Sequence, residues 1–173
     1  IGIIKRAKVK AAVDTFNSQL DNLWIKTKAL SQSKEQTNPS DPTIDGAKYP
    51  LCMKVERNTN SLDDIRDGSY VMYLCYDYAA GLTDPSKAKE QLAVLPDFID
   101  IDYTQNSSSQ HSMTSDKKHD AGSSDTGSDC FIIEFNKSDG STKYGDGKYE
   151  FYYNGSRFST VIVDKVTGNH YPK

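Results

Sequence analysis

Apolar residues recur at Val9, Val13, Phe16, Leu20, Leu23 and Leu30, with Thr27 in the one gap, so the steps run 4, 3, 4, 3, 4, 3. This spacing predicts a helix over residues 1–30 with one narrow apolar stripe. Ala12, Trp24 and Ile25 widen the edges of the stripe, while Lys8, Asp14, Asn17, Asp21, Lys26 and Lys28 lie off it. The segment holds no Pro and a single Gly, Gly2. Thirty helical residues span roughly 45 Å, more than a compact domain of 173 residues needs. Whatever the rest of the chain folds into must give this stripe a surface to lie on.

The start of the helix is unusual. Lys5, Arg6, Lys8 and Lys10 stand in its first turns, where the dipole disfavours exposed cations by about 0.3–1 kcal/mol each. No Ser, Thr, Asp or Asn precedes the pattern as a cap. The expectation is a helix cut from a longer one, with an apolar part upstream. The alternative is a vector remnant followed by an ordinary amphipathic helix.

The net charge of −3 argues against nucleic acid as a partner. No apolar run reaches the roughly 20 residues of a membrane span. Eleven Tyr against six Phe and one Trp, with many small polar residues, leans towards an extracellular protein. Cys52, Cys75 and Cys130 form no CxxC pair and allow at most one intramolecular disulfide. They read either as buried apolar residues or as part of a zinc site completed by His111, His119 or His170.

Beyond the helix, residues 31–46 hold two Pro and little that is apolar, which predicts a surface loop. Residues 51–55 read as a short strand. Residues 61–68 read as a capped helical turn closed by Gly68. Residues 70–78 form the densest aromatic run and favour a strand. Asp84-Pro85 predicts a short helix with Leu92, Val94 and Leu95 on its apolar side. Residues 98–103 alternate as a strand. Residues 104–129 carry only Met113 as a large apolar group before the strand at 130–135, and predict a surface loop. That strand, closed by Asp139-Gly140, and those at 148–153 and 157–164, joined at Asn154-Gly155, predict a three-stranded meander. The expected core joins Phe16, Leu20, Leu23, Trp24 and Leu30 to Phe131, Ile133, Phe135, Phe151 and Ile162.

No GxSxG, HExxH, P-loop or GxGxxG motif occurs. Spacing singles out no catalytic carboxylate pair. No catalytic residue, cofactor or metal is therefore expected, and the chain does not read as an enzyme. Asp139 and Asp146 beside their glycines are open to a calcium reading, although turn chemistry accounts for them equally well.

Residues 5–30 resemble the soluble half of the first helix of type IV pilins and type II secretion pseudopilins. Gly46-Ala-Lys-Tyr-Pro50 resembles the Gly-x-Tyr-Pro stretch that follows that helix. The three Cys lack the C-terminal loop spacing of Gram-negative pilins, so the likeness is nearer to Gram-positive or minor pilins. The resemblance implies an α+β fold, with the helix of 1–30 packed on an antiparallel sheet of the head, 31–173, as one domain. It implies a structural subunit of an extracellular cell-surface filament whose partners are other pilin subunits. Contact with the membrane would run only through an upstream apolar segment. The stripe Val9, Val13, Phe16, Leu20 and Leu23 would then meet the sheet in its C-terminal half and neighbouring subunits in its N-terminal half. The competing expectation is a secreted ligand-binding or adhesin domain with a pocket lined by Tyr70, Tyr73 and Tyr76.

Overall fold

The computed structural model describes residues 2–30, 37–38, 41–45, 51–58, 64–75, 89–105, 115–118, 128–153 and 155–172. Helix Gly2–Leu30 (α1) comes first. The strands are β1 Thr37–Asn38, β2 Asp41–Asp45, β3 Cys52–Arg57, β4 Tyr70–Cys75, β5 Lys89–Val94 and β6 Ile99–Gln105, then β7 Ser115–Lys118, β8 Ser128–Phe135, β9 Thr142–Tyr144, β10 Gly147–Tyr153, β11 Ser156–Val163 and β12 His170–Pro172. Among the described residues the fold is α+β, with one helix on two larger antiparallel sheets. The first runs β12-β11-β10-β6. The second runs β5-β4-β3-β8-β7, with β9 also paired to β8, and β1 and β2 pair apart from both.

The helix lies over the seam between the two sheets. Phe16 is fully buried there, its ring centroid 6.3 Å from Phe131 of β8, 5.2 Å from Tyr149 and 5.3 Å from Phe151 of β10. Tyr103 of β6 stacks on Tyr149 at 4.5 Å and tilts against Phe131 at 6.1 Å, which ties the sheets together under the helix. A polar staple joins them too. Arg57 is buried, and its Nη2 donates to Tyr70 Oη and to Asp100 Oδ1, both at 2.7 Å. A buried guanidinium demands such partners, because an unpaired charge in the interior is costly.

The second sheet is apolar on both faces. Met53, Val55, Met72, Leu74, Phe131 and Ile133 join the core under α1, while Cys52, Val71, Tyr73 and Ile132 form a separate cluster on the outer face. The unbroken run Tyr70-Val-Met-Tyr-Leu74 is the sequence counterpart of this double burial.

Several expectations fail for identifiable reasons. Residues 89–94 form an edge strand paired to β4, so sheet pairing overrides the helix former Lys-Glu-Gln-Leu-Ala. Residues 81–88, which include Asp84-Pro85, lie outside the described residues, as do 61–63 and Leu30's side chain. Residues 64–68 turn without a helix, and Gly68 adopts φ 87°. The expected loops at 31–46 and 104–129 contain the β1–β2 pair and β7, as well as the ends of β6 and β8. The expected meander is split: β10 pairs with β6 and β11, while β8 belongs to the other sheet. In β11 the register slips where Phe151 faces Ser159 but Tyr152 faces Arg157. The extra residue, Phe158, is turned out to 39% exposure, and Val161 and Val163 replace Ile162 on the core face.

Candidate functional site

The stripe residues Val9, Val13, Phe16, Leu20 and Leu23 all belong to the chain's own core. Val9 and Val13 therefore do not wait for a neighbour, as the resemblance implied; they lie against the head with the rest. The unpartnered apolar part of α1 is shorter and nearer its start. Ile3 is 85% exposed and Ile4 64%. Residues 2–8 reach beyond the first buried position, Val9, and have no acidic residue among them.

Beside this tip stands the turn of the β10–β11 hairpin. Arg6, Tyr153, Ser156, Arg157 and Phe158 line an open cleft of about 360 Å³ between them. Lys5 Nζ sits 5.4 Å from the centre of the Phe98 ring, which in turn meets Tyr153 edge-on at 5.8 Å. Arg157 Nη1 lies 3.2 Å from Glu150 Oε2, and Lys148 Nζ is 3.8 Å from the other oxygen of the same carboxylate.

At its other end the helix is pinned. Trp24 Nε1 donates to Gly140 O at 3.1 Å. The indole lies against two tight turns of the same design. Gly140 N–H closes back on Asn136 O at 2.8 Å, and Gly168 N–H closes on Asp164 O at 3.0 Å. Both glycines have positive φ, 76° and 70°. A Cβ at Gly168 would stand 2.0 Å from Gly140 O, so the two turns touch where only glycine fits. Carboxylates hold both turns. Asp139 accepts from the Ser141 hydroxyl at 2.7 Å and its backbone N–H at 2.9 Å, which holds its pKa below the ordinary carboxylate value. Asp164 accepts from the Thr167 hydroxyl at 2.7 Å and backbone N–H at 2.8 Å, with the same effect. His170 of β12 meets Asp21 of the helix. Next to this contact, Asp21, Trp24, Ile25, Gly168, Asn169, His170 and Tyr171 line a shallow groove of about 490 Å³.

The other sequence candidates are dispersed. Tyr70 is buried in the core under the helix and Tyr73 on the opposite sheet face, so they share no pocket. Tyr76 lies outside the described residues. Asp139 serves its turn, and Asp146 is buried, with its carbonyl accepting from Tyr103 Oη at 2.8 Å. Cys52 is buried and stands opposite Cys75 in register. His111 and His119 lie outside the described residues. Among the described residues, no group of three His, Cys, Asp or Glu comes together to hold a metal. Nor is any described helix long and apolar enough to cross a membrane. Sequence reading missed the Arg6–Arg157 cleft and the Gly168 turn. The repeated pattern Asn136-x-x-x-Gly140 and Asp164-x-x-x-Gly168 was the available signal for the second.

No protein-family model, curated protein or solved structure matches the chain.

Proposed function

We propose that this chain is a subunit of an extracellular type IV pilus-like filament, with a structural rather than catalytic role. The observation that carries the reading is the order of elements, a helix of 29 residues followed by antiparallel sheets. Ile3, Ile4 and Ile25 are exposed on this helix. The Gly46-Ala-Lys-Tyr-Pro50 stretch supports it from the sequence side. In this reading the helix tip joins neighbouring subunits along the filament axis and the sheets face outward.

Immunogold electron microscopy of filaments sheared from the native cells, with antibody raised against this chain, tests the proposal. Decorated filaments are expected, and they should vanish in cells carrying Ile3→Asp/Ile4→Asp while the variant head keeps its melting midpoint. Label confined to unassembled protein in the wild-type cells would overturn it.

A second reading, a secreted ligand-binding or adhesin domain without a filament role, draws on the groove between Trp24 and Tyr171. Its aromatic walls and its Asp21, Asn169 and His170 rim are the chemistry of a small polar ligand site. Saturable ligand binding by a chain that never enters filaments would favour it.

A further inference from the structure

We propose that Cys52 and Cys75 are a modification site, whose two thiols join in a cross-strand disulfide by exchange with an external low-molecular-weight disulfide such as oxidised glutathione. The inference does not depend on filament assembly.

The register selects the pair. Cys52 is the first residue of β3 and Cys75 the last of β4, and they stand directly opposite each other in the antiparallel ladder. Opposite residues of such a ladder share one face of the sheet, with Cα atoms about 4.5–5.5 Å apart. A disulfide spans Cα separations of about 4.4–6.8 Å. Both residues end their strands, so closing the bond draws in the last rung of the ladder rather than one in its middle. Cys130 is excluded by the same register. It stands opposite Glu56, four residues along β3 from Cys52, which is about 13 Å at the rise of a strand. That exceeds the roughly 7 Å a disulfide can bridge.

The neighbours of each cysteine give the order of events. Cys52 is a thiol in the structure, fully buried in the cluster with Val71, Tyr73 and Ile132. An external disulfide does not reach it there. On the other side of β4, Lys89 of β5 is the register partner of Cys75, and a cation beside a thiol favours the reactive thiolate. The first exchange therefore falls on Cys75, which gives its proton to solvent. Its thiolate attacks one sulfur of the external disulfide, breaks that S–S bond, and leaves a mixed disulfide and one released thiolate. Cys52 passes its proton to the released thiolate and attacks the Cys75 sulfur. The second external thiolate leaves and takes a proton from solvent. Two protein thiols are oxidised, and one external disulfide is reduced to two thiols.

Transfer of the reduced 173-residue chain into oxidised glutathione tests this. The remaining thiols are alkylated in denaturant, and the chain is cut with trypsin without reductant and weighed. The peptides 49–54 and 67–87 are expected as one disulfide-linked pair, with Cys130 alkylated. The oxidised chain should melt about 5–10 °C above the reduced one, because the bond constrains the unfolded segment 52–75. Cys130→Ser should keep the link and the shift, and Cys75→Ser should lose both. Lys89→Gln should slow the appearance of the link about threefold. A link that includes Cys130 would overturn the proposal, as would Cys52 and Cys75 both recovered alkylated, or glutathione held on Cys75 with no link to Cys52. An unchanged rate in the Lys89 variant would overturn the order of attack.

Discussion

At its C-terminal end α1 is held by a hydrogen bond from Trp24 to Gly140, by two interlocking glycine turns and by the Asp21–His170 contact. At its N-terminal end residues 2–8 carry exposed isoleucines and cations, with Lys5 near the Phe98 ring and Arg6 on the open cleft. One helix thus combines a rigid attachment with a presented tip. The difference arises from what surrounds each end. Two carboxylate-braced turns close over the tryptophan, whereas an open cleft flanks the tip.

Substitution at the middle of the helix sets the scale. Phe16→Ala should destabilise the fold by about 3–5 kcal/mol, because its ring fills the seam between the sheets. Urea unfolding measures this, and a loss under 1 kcal/mol would mean the seam closes without it. The pinned end comes next. Gly168→Ala places a Cβ on Gly140 O at φ 70°. Left-handed strain and overpacking together should cost about 2–4 kcal/mol, and an unchanged unfolding midpoint would show that the two turns are not locked.

Acid offers a gentler probe of the same end. The pKa values of Asp139 and Asp164 are lowered in the fold from 3.8, so their contribution is complete above that value. It is lost as pH falls through the folded values. The melting midpoint should therefore drop below pH 3.8, and less steeply for Asp139→Asn/Asp164→Asn than for the wild type. Parallel slopes would remove these turns from the acid response. The smallest effect belongs to the tip. Ile3→Ser/Ile4→Ser should change the unfolding free energy by under about 0.5 kcal/mol, and a larger loss would mean the tip is packed rather than presented.

The sequence determined the helix and its buried face. A 4, 3 repeat through Leu23 admits one amphipathic solution, and the head buries Val9, Val13, Phe16, Leu20 and Leu23 together. It also predicted strands at 51–55, 70–78, 98–103, 148–153 and 157–164, which overlap β3, β4, β6, β10 and β11, where aromatic and branched residues cluster between turn signals. Tertiary structure alone decided how those strands are shared between sheets, because β8 and β10 each carry an apolar face and only packing under the helix assigns them. It decided that 89–94 is a strand, since pairing with β4 outweighs local helix preference. It moved the core face of β11 from Ile162 to Val161 and Val163 through a one-residue bulge that no periodicity announces. It also brought Arg6 beside Arg157, residues far apart in the chain, whose approach depends on where the helix lies across the seam.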